Sequence, residues 1–353
     1  YIMDLFGSVP LIEKSSPALE EIVQEKRSKV FYFIVKELVD SEPFLSMERS
    51  NQPGVYYGRV TRPVVWFLLA KLALNAEVYA DDDWTDGSRP DGKSLFFEVD
   101  GQSLNAWQTV CRYGEKLAAA GYSLEEDYTA NFAVFNESSK ENIFVIPMDK
   151  TLYANQFIYL FRSRHYNHAK AYGLGGENGA SATKEVLEAF GYDTPQVDAR
   201  FDYCYFAGPV NDLEGRQVML DDGVTPLVYE PWKVALDVSG QPWEKTAGAR
   251  MKKYEVDPTA LKDGKLLDND IVLFRYADML LMQSEAKVRN GENGDAELNR
   301  VRSRVGMPPQ TATLDCLLEE RMRELAWEGW RRQDLIRFGR FTRAYSDRPQ
   351  LPG

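Results

Sequence analysis

Three stretches of this chain set apolar residues three and four positions apart with a small residue among them, which constrains the fold more than any other feature. Val65, Leu69, Leu72, Ala76 and Tyr79 follow one another at steps of four, three, four and three. Leu273, Ala277, Leu280, Ser284 and Val288 do the same at four, three, four and four. Trp107, Val110, Cys111, Gly114, Leu117 and Ala118 share a third face. Such spacing puts the apolar side chains on one side of a helix. The small residues let a second helix come close, as in a tightly packed helical hairpin.

Helices are therefore expected over about 18–40, 61–79, 104–119, 183–190, 271–289, 294–304 and 313–330. Thr61 and Thr313 stand where helix caps belong, Pro63 falls in a first turn, and Asn290-Gly291 supplies a stop. The segment YADDDWTDGSRPDGKSLFFEVDG reads as a loop of about 20 residues, dense in Asp and Gly. Between about 120 and 268 the periodicity fades. Short apolar runs such as Ile143-Phe144-Val145-Ile146 read as strands between Gly, Asn, Asp and Pro. The expected fold class is mainly α: tetratricopeptide-like helical hairpins form a scaffold over about 18–119 and 271–340. A loop-rich insert with a few short strands occupies about 120–268, all within a single domain 1–353. The pairing resembles tetratricopeptide packing, although no clean 34-residue period is present.

Composition narrows the function. With 42 Lys and Arg against 54 Asp and Glu the net charge is −12, which repels phosphate backbones and argues against nucleic acid as a partner. Cys111, Cys204 and Cys316 are isolated and odd in number, which points to buried free thiols and away from a disulfide framework. No run of about 18 apolar residues occurs, so no helical membrane span is expected. Nor is a signal peptide expected within these residues. The chain opens at Tyr1-Ile2-Met3 within structured-looking sequence, so an upstream segment is expected.

Glu320, Glu324 and Glu328 could suggest paired catalytic carboxyls. Arg321, Arg323, Arg331 and Arg332 stand at helical distance from them, however, and a local ion-paired helix is the expectation. The same applies to Arg275 and Asp278. His165 and His168 lack further ligands and have Arg neighbours, so a metal is not expected there. The loop Asp81–Gly87 lacks the ligand spacing of a calcium-binding EF-hand and reads as solvated. No nucleophile elbow or phosphate-cradling glycine loop is present, and Gly173-Leu174-Gly175-Gly176 reads as a flexible loop.

Two C-terminal stretches carry a family resemblance. DNDIVLFRYADMLLMQSEAKVRNG, residues 268–291, is similar to the SusD family's "RYAD-x-LLM-x-AEA" helix. Leu298-Asn299-Arg300-Val301-Arg302, Gly306-Met307-Pro308 and LLEERMRELAWEGWRRQDLIRFGR at 317–340 resemble its "LN-x-VR-x-RAG" and "ER-x-x-EL-x-x-EG-x-R-x-x-DL-x-R-x-G". Shorter matches keep the same order: Asp4 to Leu11, Tyr57-Gly58-Arg59-Val60-Thr61, and Asn136-Glu137-Ser138 with Ile143-Phe144. Ser284 stands where the family has Ala, and Trp330 where His is common.

The resemblance is to the SusD/RagB nutrient-binding lipoproteins. It implies a non-enzymatic cell-surface protein without cofactor or metal that captures an oligosaccharide, polysaccharide or related nutrient. It also implies an outer-membrane location and delivery to a SusC-like TonB-dependent transporter. Family members usually carry more N-terminal sequence, including the lipid anchor, which is not present in this sequence. A glycoside hydrolase and a helical-repeat interaction scaffold are the alternatives. A sugar lays its apolar face on Trp or Tyr while polar groups take its hydroxyls. The insert offers that mixture at Tyr159–Asn178, and at Phe201, Tyr203 and Tyr205 with Asn211 and Asp212. The expected ligand-binding residues are Trp84, His165, Tyr166, His168, Tyr172, Asn178, Tyr203 and Tyr205.

Overall fold

The computed structural model describes residues 1–152 and 163–344. Its N-terminal part holds helices α1 (Ile2–Phe6), α2 (Arg27–Ser41), α3 (Arg62–Leu74), α4 (Ala76–Tyr79) and α5 (Ala106–Ala119). The middle carries three short helices, α6 (Tyr166–Ala171), α7 (Lys184–Phe190) and α8 (Arg200–Cys204). The C-terminal part is α9 (Tyr276–Asn290), α10 (Asp295–Arg304), α11 (Leu314–Glu324) and α12 (Arg331–Arg337). The strands are short and pair two by two: β1 (Val9–Pro10) with β2 (Gln24–Glu25), and β3 (Phe96–Val99) with β4 (Gln102–Asn105). β5 (Asn142–Ile146) pairs with β10 (Ile271–Arg275), β6 (Tyr205–Phe206) with β9 (Arg250–Met251), and β7 (Gly208–Pro209) with β8 (Val228–Tyr229). The fold is mainly helical. No helix among the described residues is long and apolar enough to cross a membrane.

The helical seams pack as their spacing predicts. α3 packs on α5, α5 on α9, and α9 on both α10 and α11. Gly114 of α5 faces Gln283 of α9, leaving no room for a side chain between them. Asn105 caps α5 through a reciprocal bond with Gln108, and Thr313 accepts the Cys316 N–H at the start of α11. α9 ends on Gly291 in the left-handed conformation, and Ser284 donates its hydroxyl proton to the carbonyl of Gly294 at 2.8 Å. Ser284 thus anchors the turn into α10.

Several boundaries differ from the sequence expectation. The first long helix begins at Arg27, because Leu19–Glu21 form a 3-10 turn and Gln24-Glu25 pair with Val9-Pro10. Thr61 precedes α3, but its hydroxyl makes no capping bond. The loop after Tyr79 contains β3, which turns at Asp100-Gly101, both with positive φ, into β4. Residues 271–275 are a strand antiparallel to β5, and the helix starts only at Tyr276. The last expected helix, 313–330, ends early and a separate helix follows it. α11 stops at Glu324, Trp327 and Gly329 take positive φ, and α12 resumes at Arg331.

The main core joins α2, α3, α5, α9 and parts of α10 and α11. A second cluster gathers Phe132, Val145, Phe190, Phe201, Tyr205, Tyr254, Ile271 and Val272 from the middle of the chain. A small third one surrounds Tyr229. β10 and α9 run continuously, with Ile271 and Val272 in the second cluster and Phe274 and Tyr276 in the first. That junction positions the site beside it.

Candidate functional site

The expected ligand residues do not converge on one place. Trp84 is 65% exposed and lines a cleft of about 670 Å³ with Leu5, Phe6, Tyr79 and Phe341. Tyr166 is also exposed, but His165 and His168 beside it are buried. The His165 Nδ1 accepts the Asn167 N–H at the start of α6. His168 lies edge-on to Phe206 and Tyr172, at 4.6 and 4.7 Å between ring centres, and its Nδ1 shares a 2.9 Å bond with the Tyr229 hydroxyl. Burial, reinforced by Arg164 and His165, pushes its pKa down to about 3, so it is a neutral core residue. Tyr172 is half-buried, and Asn178 donates its backbone N–H to the carbonyl of Arg164 from a left-handed turn. Tyr203 is partly exposed and stacks on Tyr128. Tyr159 to Arg162, at the start of the expected aromatic segment, lie outside the described residues.

Cysteine burial is also uneven. Cys204 is buried, as expected of a core thiol, whereas Cys111 and Cys316 are only partly covered.

Tyr205 leads to a different site. It is buried in the wall of a cleft of about 770 Å³, whose lining comes from 181–186, 234–236, parts of α11 and α12, and the turn between them that carries Trp327. The walls are mainly apolar, with Val186, Leu236, Met322 and Leu325 among them. The break between α11 and α12 puts Trp327 there. A bulky residue at φ 64° is sterically disfavoured, by roughly 1–3 kcal/mol, and persists only where its surroundings hold it. Two contacts hold it: its indole N–H donates to the carbonyl of Cys204 at 3.1 Å, and its ring meets Tyr205 at 5.7 Å.

From there the rings continue outward. Tyr205 stacks on Phe201 at 5.2 Å, Phe201 meets Tyr192 at 4.6 Å, and Tyr192 meets the 41% exposed Trp232 at 6.2 Å. Trp232 is fixed by a 2.8 Å bond from its indole N–H to Asp193. A chain of aromatic rings thus runs from the cleft wall to the surface. Sequence reasoning missed Trp327 and Trp232. Trp327 hides in a run with helical spacing, and Trp232 follows Pro231 in a segment with no periodicity.

Behind the cleft lies a buried charge network. Glu320 accepts from Arg200, Arg302 and Arg323, and Glu324 from Arg200, Arg275 and Arg304. Glu328 pairs with Arg275 and Lys253. The ion-pair expectation holds in kind, but most partners come from other elements and not from the neighbouring turns. Likewise Asp278 pairs with Lys71 at 2.6 Å and Arg321 at 2.7 Å, not with Arg275. Trp330 lies against the same Lys71, 3.6 Å from its ammonium. Burial alone would raise the Glu324 pKa. Arg304, Arg275 and Arg200 outweigh it and hold the carboxyl well below its usual range. Glu320 and Glu324, both with lowered pKa, are held as anions and are unsuited to act as a general acid. The cleft itself is lined by one carboxylate, Glu185, where a glycosidase of the usual kind needs two. No cluster of three or more His, Cys, Asp or Glu suited to a metal occurs among the described residues. Apolar ring faces beside the hydroxyls of Ser181 and Thr183 and the guanidinium of Arg331 are equipped to bind a sugar and hold its orientation.

Comparison with known proteins agrees with this architecture. The family model described as the SusD family matches residues 140–350. A starch-binding protein, SusD, of Bacteroides thetaiotaomicron is 26% identical over 377 aligned positions, covering 97% of this chain and 62% of that protein. A SusD-like carbohydrate-binding protein from Bacteroides fragilis superposes with a TM-score of 0.70 at 19% identity, over 97% of this chain and 64% of its own. Surface glycan-binding protein A from Bacteroides thetaiotaomicron, in complex with laminarihexaose, gives 0.68 at 20% identity, over 100% of this chain and 70% of its own. The chain therefore spans less than two thirds of the length of the curated starch-binding protein, at 62%.

Proposed function

The chain belongs to the SusD family, and we propose that it captures a glycan without cleaving it, at the outer face of an outer membrane. In this reading the captured saccharide passes to a SusC-like TonB-dependent transporter. The segment of about 120–268 and the turn between α11 and α12 together supply the ligand-bearing surface, and the other helices hold it. The observation that carries the proposal is the cleft walled by Tyr205 and Trp327, from which rings lead to Trp232. Stacking on such rings gives contact without fixing sugar identity, and an open cleft suits release.

The test is affinity gel electrophoresis of the protein against a panel of polysaccharides, with calorimetry and a reducing-sugar assay on each hit. Retardation without sugar release is expected. Trp327→Ala should weaken the hit about tenfold, or about 1.4 kcal/mol, whereas Tyr166→Ala on α6 should leave it unchanged. Release of reducing ends would favour a hydrolase instead. Silence across the panel, with a protein partner still captured, would favour the interaction scaffold.

A further inference from the structure

We infer that the cleft beside Trp327 selects acidic glycans, those carrying uronate carboxylates, and that Arg331 reads their charge. The inference rests on the glycan-capture reading and narrows it to a substrate class. It starts from a contrast among arginines. Arg302, Arg304, Arg321, Arg323 and Arg337 on α10, α11 and α12 each meet a carboxylate within ion-pair distance. Arg331, half-buried and lining the cleft, meets none among the described residues. Its Nη1 donates to the carbonyl of Leu318 at 2.9 Å, which orients the guanidinium and leaves its positive charge without a carboxylate partner among the described residues. Arg332 lines the same cleft and likewise donates only to carbonyls, those of Asp4 and Leu5 at 3.2 and 3.3 Å.

Arg331 and Arg332 stand against the single lining carboxylate of Glu185 among the described residues, while Arg321 is already neutralised by Asp278 and Asp334. The cleft is thus cationic in a chain whose net charge is −12. Partial burial of a guanidinium costs hydration that a carbonyl alone returns poorly, and a carboxylate returns well through paired N–H···O bonds. A neutral sugar offers no such group. A uronate offers both halves of what this cleft presents: an apolar ring face for Trp327 and Tyr205, and an edge carboxylate for Arg331.

The experiment compares polygalacturonate, alginate and glucuronoxylan with their carboxyl-reduced counterparts, binding each to the native protein at low and at moderate salt. At least one uronate polymer should bind about tenfold tighter than its reduced form, and the advantage should shrink with salt. Arg331→Gln should abolish that advantage and Arg331→Lys should restore part of it. Salt dependence on the native protein keeps the test decisive if the glutamine variant folds poorly. Equal binding of acid and reduced forms, or retention of neutral polysaccharides alone, would overturn charge selection and leave glycan capture standing. A uronate preference unaffected by Arg331→Gln would overturn this cleft as its source. Retention of nothing in either panel would overturn both readings.

Discussion

Arg275 shows what a single side chain does in this protein. It is fully buried at the junction of β10 and α9 and donates to Glu328, Glu141, Glu324 and the Glu324 carbonyl, at 2.5–2.8 Å. Its removal would leave three buried carboxylates short of a cation. Arg275→Met should therefore destabilise the protein by about 3–5 kcal/mol, read as a lower midpoint in urea unfolding. Adding Glu328→Gln should recover part of the loss. Sequence reading recognised that the glutamates of α11 have arginine partners but assigned the wrong ones. Helical spacing reveals which side chains share a face, not what packs against it. Glu320 and Glu324 lie on a buried face of α11 beside Leu317, so their partners arrive from α8, α10 and the end of β10. Tyr205, in the wall of the candidate cleft, stood out in the sequence because it lies in an aromatic run. Trp327 was not, because the backbone reversal that turns it into the cleft leaves no mark on the apolar period.

At the scale of elements, the seams were readable where a helix has one polar side. The strand β10 was not, for a definite reason. Both its faces are largely covered, so Ile271 to Phe274 show no alternation, and Leu273 falls in step with Ala277 as though the helix began earlier. The β3–β4 hairpin was more accessible: Asp100-Gly101 between Phe96–Val99 and Gln102–Asn105 is a strong turn signal that the surrounding Asp-rich loop obscured. The connection between α9 and α10 supplies a prediction at this scale. A Cβ on Gly294 would stand 2.6 Å from the Ser284 carbonyl oxygen, a backbone atom that cannot swing away. Gly294→Ala should cost about 1–3 kcal/mol in denaturant unfolding. Gly306→Ala meets no atom within 4 Å and carries only its left-handed backbone penalty, of about 1–2 kcal/mol.

The whole molecule combines opposing responses to acid. His168 refuses a proton down to about pH 3, whereas the unfolded side chain accepts one near 6.5, so stability is lost as pH falls through that interval. Asp270 works the other way. Burial raises its pKa to about 6 despite bonds from Tyr57 and Met148, so below pH 6 the folded state gains the proton first and stability rises until about 3.8. Glu285, held down to about 2 by Arg337 and Arg289 against its burial, contributes stability that is lost as pH falls below 4.5. Glu320 and Glu324 have depressed values and act in the same direction. Unfolding free energy should thus be nearly flat from about pH 7 to 4.5 and fall steeply below. Asp270→Asn should turn the flat part into a steady decline as pH falls, measurable by urea titration at each pH. The charge network behind the cleft has a further consequence, for the order in which the chain can close. Its members are spread from Glu141 to Glu328, so Arg200 and Arg275 have only Asp198 and Glu141 as counter-ions until the last helices are synthesised. Burial of Arg200 and Arg275 with their full set of partners waits until residues 320–328 have been made. The network is therefore completed only after the last helices have been made.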